Sequence, residues 1–131
     1  MPVRHHLYLF YLATTFWTFF FLGGLWSDYY QTWPWWLSLA VVVVLPTAAL
    51  LVLGRRLLLT HLRGVPPFAG SCWIAFYFTG PFLVYDIIYL AAYRGLGLSF
   101  VWLHWYLSAF YIIPWVVLPP IGVSLQRQSR E

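Results

Sequence analysis

Four apolar stretches dominate the pattern of hydrophobic and polar positions along this chain. They cover roughly residues 7–26, 35–53, 68–92 and 98–123, with short polar or glycine-rich segments between them. Each is close to the ~20 residues that an α-helix needs to cross a bilayer. Backbone groups in lipid must be hydrogen-bonded within their own segment, and the alternating pattern of a membrane β-barrel is missing. The pattern predicts one all-α domain, residues 1–131, folded as a bundle of four transmembrane helices.

The overall composition places this bundle in a membrane. The 131 residues are 63% hydrophobic and only 8% charged, whereas about a quarter of the residues in soluble domains are charged. A chain of this size cannot bury so much apolar surface in a small globule. We therefore expect a multi-pass integral membrane protein, in the inner membrane of a bacterium or in the endoplasmic reticulum. The first stretch is too long for a signal peptide and lacks a small-residue cleavage site, so we expect a helix there.

The distribution of arginine predicts the orientation of the bundle. Cytoplasmic loops of membrane proteins carry an excess of Lys and Arg. One side of the predicted bundle holds Arg94 alone. The opposite side holds Arg4, Arg55, Arg56, Arg63, Arg127 and Arg130. Both termini are therefore predicted to be cytoplasmic. These arginines do not form one basic face, so nucleic acid is not expected as a partner.

Asp86 is the acid that this pattern leaves inside the bilayer. If the third helix enters from the cytoplasm near Phe68, Asp86 lies about 27 Å along it. That depth is the outer third of the membrane. The same orientation places Asp28, Arg94 and His104 near it. We therefore expect these ionisable side chains to converge at the outer end of the bundle.

Two interpretations of these polar side chains stay open. Ionisable residues inside membrane helices are costly, face the bundle interior and are functional candidates by default. A protonated Asp86 would be a proton donor in an apolar pocket, whereas a charged Asp86 would anchor a ligand amine. Alternatively, Asp86 and Arg94 form a pair that only fixes helix packing. Asp28 and His104 would then be ordinary polar residues at a helix end and a packed interface.

Prolines and aromatic residues predict a ligand cavity near these side chains. Pro46, Pro81 and Pro114 fall inside the second, third and fourth stretches, where a proline bends a helix and opens space beside it. Aromatic residues make up 23% of the chain, and their rings suit a flat polycyclic or isoprenoid ligand and stabilise a cation. Alternatively, the membrane helices simply tolerate these prolines, and most of the rings face lipid. The residues expected to bind the ligand are Phe82, Tyr85, Tyr89, Arg94, Trp102, Trp105, Tyr106 and Tyr111.

No metal or other cofactor is expected. The sequence has no HExxH, CxxC or GxGxxG motif and no cluster of carboxylates, which metal or dinucleotide sites would need. His5, His6 and His61 fall on the predicted cytoplasmic side and His104 near the opposite side. This distribution does not suit the paired ligands of a transmembrane haem.

Four short segments occur in the order and spacing of a known family. "YDIIYL" (85–90) is similar to a segment that carries an Asp in a third core helix, and "WVVLPPIGV" (115–123) to the end of a last core helix. "VVVVLPTAALLVLGR" (41–55) has a mid-helix proline before a basic turn, and "SDYYQTWP" (27–34) has an acid followed by Gln. On these segments the chain resembles the EXPERA family, which includes the emopamil-binding sterol isomerase and the sigma-two receptor. The resemblance implies a four-helix membrane core.

The resemblance carries over only part of the family's proton shuttle. It implies functional roles for Asp28 and Asp86. The isomerases use a His and a Glu in the first core helix and a Glu in the second, whereas residues 19–24 and 37–45 of this chain contain no acid. Ile112 stands where their last helix has Asn. The expected chemistry is therefore a related one, in which an acid protonates an alkene and aromatic rings hold the carbocation.

These observations predict a membrane-embedded isomerase or cyclase that acts on a sterol, a carotenoid or another terpenoid. Asp86 would be the acid, and Asp28 or His104 would return the proton. One alternative is a non-catalytic protein that binds sterols or cationic amphiphiles, with Asp86 as the counter-charge. Another is an accessory subunit of a larger membrane complex. A transporter would need two copies of the chain to form a pathway, so a homodimer also stays open.

Overall fold

The chain folds as a bundle of four long helices. A computed structural model describes residues 2–26, 32–103 and 105–131, apart from the side chains of residues 100, 106 and 107. Within these residues the regular structure is helical and no β-strand occurs. The predicted all-α membrane bundle is thus confirmed. Four helices are long and apolar enough to cross a membrane: α1 (Val3–Trp26), α2 (Trp35–Leu59), α3 (Pro67–Tyr93) and α4 (Ala109–Gln128).

Three of the helices extend beyond their apolar stretches at one end of the bundle. α1 begins at Val3 where the stretch begins at residue 7, and α2 continues to Leu59 where the stretch ends at residue 53. α4 likewise continues to Gln128 where the stretch ends at residue 123. Long arginine side chains can reach the headgroup region while their stems cover the last helical turn. Helix can therefore continue through these basic segments.

The ends rich in arginine lie together. The Tyr8 ring stacks on the His61 ring at a centroid distance of 4.6 Å, which joins the start of α1 to the segment after α2. The backbone N–H of Phe68 donates to Oε1 of Gln126 at 3.4 Å, which joins the start of α3 to the end of α4. Successive helices therefore run in opposite directions. Arg94, which follows α3, lies at the other end of the bundle.

Pro46 is accommodated by a wider helical turn and not by a break. It cannot donate to the carbonyl group of Val42, and its ring crowds that group. The preceding segment, Leu39–Val44, is π-helical, and such wide turns relieve local crowding in a helix. The Thr47 hydroxyl donates to the carbonyl oxygen of Val43 at 2.6 Å. α2 thus continues through the proline.

The start of the fourth helix differs from the prediction of one helix over residues 98–123. Short helical turns occupy this region, and a 3₁₀ turn at Ala109–Tyr111 comes before the α-helical segment Ile113–Gln128. Pro114 lies in the first turn of that segment, where a missing N–H is tolerated. A continuous helix would bring the Pro114 ring against the carbonyl group of Phe110. The chain therefore turns at Tyr111.

α3 is the central helix of the bundle. Its most extensive interface is with α4 and the next is with α1, while α2 packs mainly on α4. α1, α3, α4 and α2 therefore follow one another around the bundle. All four helices contribute large apolar side chains to the buried core, among them Leu9, Trp17, Leu50, Leu57, Ile74, Phe78, Phe82, Leu90, Phe110 and Leu118.

Small residues let α3 and α4 approach closely. Ser71, Ala75 and Thr79 are buried on one face of α3 at a spacing of four residues, which is one helical face. Opposite this face, a Cβ atom at Gly122 of α4 would lie only 2.7 Å from the carbonyl oxygen of Pro67. Membrane helices commonly use such small residues for tight backbone packing. The same face of α3 continues to Asp86.

Candidate functional site around Asp86

Asp86 lies in the interface between α3 and the start of α4. Its side chain is only 2% exposed. Thr79 and Phe82 are buried as well. Phe82 follows Thr79 by three residues and Asp86 follows Phe82 by four, so all three lie on one face of α3. The Tyr111 hydroxyl donates a hydrogen bond to Oδ2 of Asp86 at 2.5 Å. The acid that was predicted to face the bundle interior does so.

Tyr111 reaches Asp86 because the chain turns before Pro114. Its ring also packs on Phe82, with ring centroids 5.3 Å apart. The sequence predicted Tyr111 only as part of a ligand pocket and did not identify it as the partner of Asp86. A phenol hydroxyl can donate to a carboxyl oxygen in either the neutral or the ionised form of the acid. Tyr111 can therefore stabilise the anion that remains when Asp86 has given up a proton.

A second polar contact lies one helical turn further along the same interface. The indole Nε1–H of Trp115 donates to the Thr79 hydroxyl at 3.3 Å. The Thr79 hydroxyl in turn donates within α3, where the carbonyl oxygen of Ala75 is 2.9 Å away. These contacts satisfy polar groups that lipid could not. The interface between α3 and α4 thus contains two hydrogen-bonded polar contacts, Asp86–Tyr111 and Thr79–Trp115, within an apolar bundle.

Trp17 is a central residue of the site that the sequence did not reveal. Its ring stacks on Phe82 at a centroid distance of 4.2 Å and meets Phe110 edge-on at 5.1 Å. Its indole N–H donates to the carbonyl oxygen of Phe78 at 2.6 Å. Trp17 was one of many aromatic residues in the first stretch, and nothing in the sequence distinguished it. It ties α1 to α3 next to the Asp86 face.

Tyr85 and Tyr89 pack against α1. The Tyr85 ring stacks on Phe21 at 5.6 Å, and its hydroxyl is 3.4 Å from the Thr18 hydroxyl. Tyr89 meets Phe21 edge-on at 5.3 Å and stacks on Tyr93 at 5.4 Å. The predicted ligand-binding residues of α3 therefore divide between two faces. Phe82 shares the face of Asp86, whereas these two tyrosines lie on another.

The other predicted site residues that the structure describes follow α3 or precede α4. Trp102 is 66% exposed and Trp105 is 48% exposed on the connection before α4. Arg94 is exposed just after α3. The convergence of Asp28 and His104 with Asp86, and the side chain of Tyr106, lie outside the described residues.

A groove lies beside Pro81. Its volume is about 450 Å³, and it lies between α1 and α3 on the membrane-facing side. A Cβ atom at Gly80 would meet no atom within 4 Å, which confirms open space there. Asp86 does not line this groove, so the cavity and the acid are separate features. Residues on the groove wall include Phe10, Thr14, Tyr77, Gly80, Pro81 and Tyr85.

Histidines at the opposite end of the bundle take part in aromatic packing. The Nδ1 atom of His6 is 2.9 Å from the Tyr77 hydroxyl, and its ring meets Trp73 edge-on at 4.5 Å. His61 stacks on Tyr8. Among the described residues, no group of three or more His, Cys, Asp or Glu side chains could hold a metal ion. His6 contacts α3 at Trp73 and Tyr77, which lie 13 and 9 residues before Asp86, or about 20 and 14 Å along the helix.

Comparisons with protein families, with curated proteins and with solved structures gave no match. The resemblance to the EXPERA family therefore remains an expectation from short segments. The function has to be argued from the site itself.

Proposed function

We propose that this protein is a membrane-embedded isomerase or cyclase of a terpenoid, such as a sterol or a carotenoid, and that Asp86 is its acid. The observation that carries the proposal is the buried carboxyl group of Asp86, hydrogen-bonded by Tyr111 at 2.5 Å and flanked by Phe82. A carboxyl group shielded from water can keep its proton for an apolar substrate. The resemblance to a sterol isomerase family agrees with this chemistry.

The proposed reaction is proton-neutral and needs no co-reactant. The O–H bond of Asp86 breaks while a C–H bond forms at one alkene carbon of the substrate. The Tyr111 hydroxyl stabilises the resulting carboxylate, and the ring faces of Phe82 and Tyr111 stabilise the carbocation. Loss of a proton from a neighbouring carbon, before or after ring closure, restores a double bond. Asp28 or His104, which lie outside the described residues, would accept that proton and return a proton to Asp86, which completes the cycle.

Deuterium incorporation tests the proposal directly. The purified protein is incubated in D₂O with a set of sterols, carotenoids and linear isoprenoids, and products are analysed by mass spectrometry. We expect one substrate to give an isomer or a ring product that carries solvent deuterium. Asp86→Asn should abolish incorporation while substrate binding persists, and Asp86→Glu should retain part of it. Deuterated product from Asp86→Asn at the wild-type rate would exclude Asp86 as the acid.

A non-catalytic lipid-binding protein is a second candidate, because the groove beside Pro81 is open to the membrane and separate from Asp86. The groove walls are mainly apolar and aromatic, which suits a hydrophobic ligand. In this case, lipid extraction of the purified protein should yield a stoichiometric isoprenoid without any turnover. Asp86→Asn should leave the bound amount of a neutral ligand unchanged.

Filling the groove separates this second candidate from the first. Gly80→Leu places a side chain in open space without a backbone clash, so it should displace the ligand and leave the fold intact. Ala48→Leu is the control, since it also introduces a leucine, at an exposed position of α2. Bound ligand that survives Gly80→Leu would exclude the groove as the binding site.

A further inference from the structure

Two grooves meet on the C-terminal half of α4, far from Asp86. The larger has a volume of about 610 Å³ and runs along the outer face of α4 from Trp115 to Arg127. The smaller, about 310 Å³, lies between α4 and α2, where Arg55 forms part of its wall. The grooves share Pro120, Ser124 and Gln128. The two grooves therefore lie on either side of this row of residues, with Arg127 on the wall of one and Arg55 on the wall of the other; together they are called the α4 depression.

The polarity of this depression changes along the helix. Trp115 and Pro119 line its inner part, whereas Arg127 and Gln128 line the part at the end of the helix. Trp115 and Arg127 are about 18 Å apart along the axis at 1.5 Å per residue. One leaflet of the hydrocarbon core is roughly 15 Å thick. The depression thus spans one leaflet, from near the bilayer midplane to the headgroup region.

The polar end combines groups that recognise a phosphate. Arg55 and Arg127 can each present a guanidinium fork, which binds phosphate oxygens in a bidentate manner. The Ser124 hydroxyl and the Gln128 amide add neutral donors. Glu131 also lines this wall, and its negative charge offsets one of the two arginines, so the polar end keeps a net positive charge. Basic pockets between transmembrane helices on the cytoplasmic side are known to bind anionic headgroups.

We infer that this depression binds an anionic phospholipid. The phosphate lies between Arg55 and Arg127, and an acyl chain lies along the apolar groove that leads to Trp115. The inference does not depend on the proposed activity, because neither Asp86 nor Tyr111 lines either groove. Binding at this site can be distinguished from a general attraction of basic loops to the membrane. Arg63 has the same charge at the same end of the bundle but lines neither groove.

Native mass spectrometry of the full chain tests the inference. The protein is equilibrated in micelles that contain phosphatidylglycerol and phosphatidylcholine with identical acyl chains. We expect the wild type to retain phosphatidylglycerol preferentially. Arg55→Gln and Arg127→Gln should each weaken its retention about fivefold, as expected for one arginine near an anionic headgroup. Arg63→Gln, the matched control, should leave retention unchanged.

Two further conditions define the ligand. Val123→Trp fills the apolar groove without changing the charge and should weaken the retention of phosphatidylglycerol. This loss would show that the acyl chain occupies the groove. Inorganic phosphate at the same concentration should not displace the lipid. Equal retention of both lipids, an equal loss in Arg63→Gln, or displacement by phosphate alone would each overturn the inference. Circular dichroism spectra of all variants confirm that the helices remain folded.

Discussion

At the residue scale, Asp86 is stable in an apolar helix because a partner meets it across a helix interface. A buried polar group without a hydrogen bond costs about 1–3 kcal/mol in proteins. The Tyr111 hydroxyl removes this cost with a bond of 2.5 Å. The pairing explains the acid structurally, and it also supplies the group that would stabilise Asp86 after proton transfer. The Asp86–Tyr111 hydrogen bond therefore has two roles that can be tested separately, one in the stability of the bundle and one in the proposed reaction.

The role of this hydrogen bond in stability predicts the effect of Tyr111→Phe. This change leaves the ring against Phe82 but removes the donor to Asp86, so we expect the free energy of unfolding to fall by about 1–3 kcal/mol. The loss should be smaller in an Asp86→Leu background, where no carboxyl group needs a partner. Unfolding by sodium dodecyl sulfate in mixed micelles, followed by circular dichroism, measures both values. Tyr93→Phe, at a side chain that is 80% exposed, is the control and should change nothing.

At the element scale, the close approach of α3 and α4 holds the Asp86 face in place. Without a hydrophobic driving force in lipid, helices associate through tight packing and hydrogen bonds. Gly122 allows this packing at one end of the interface. Tyr111 and Trp115 supply hydrogen bonds toward the other end. A change that separates the helices at Gly122 should therefore weaken the whole interface.

Gly122→Ala tests this dependence. The added Cβ atom would lie 2.7 Å from the carbonyl oxygen of Pro67 and 2.9 Å from Cα of Phe68, and backbone atoms cannot move aside cheaply. We expect a loss of about 1–3 kcal/mol, as for other overpacked sites. Gly80→Ala, with nothing within 4 Å of its new Cβ atom, should change stability by less than about 0.5 kcal/mol. Equal unfolding curves for the two variants would contradict the proposed close packing.

The sequence allowed the helices to be predicted better than the contacts between them. Apolar length alone identified four spans, because lipid imposes that length on every helix. The π-helical turn before Pro46 and the turn before Pro114 were not predicted, since a proline can kink, widen or end a helix according to its neighbours. The partner of Asp86 depended on that second turn. It also depended on which faces of α3 and α4 meet, which the nearly uniform apolar pattern does not encode.

At the scale of the whole molecule, the bundle separates charge between its two ends. The start of α1, the segment after α2 and the end of α4 lie together, and they carry all the arginines except Arg94. Four crossings place both termini on the same side of the membrane. The arginine excess predicts that this side is the cytoplasm.

Cysteine accessibility tests this orientation, because Cys72 is the single native cysteine. In a Cys72→Ser background, Leu98→Cys is at an exposed position beyond α3, and Ser129→Cys is at an exposed position beyond α4. In spheroplasts of an expressing bacterium, a membrane-impermeant maleimide should label Leu98→Cys directly and Ser129→Cys only after permeabilisation. Val52→Cys, 71% exposed within α2, should stay unlabelled in both conditions because lipid surrounds it. The reverse labelling order would show that the bundle is inverted, with the arginine-rich end and its proposed phospholipid site in the outer leaflet.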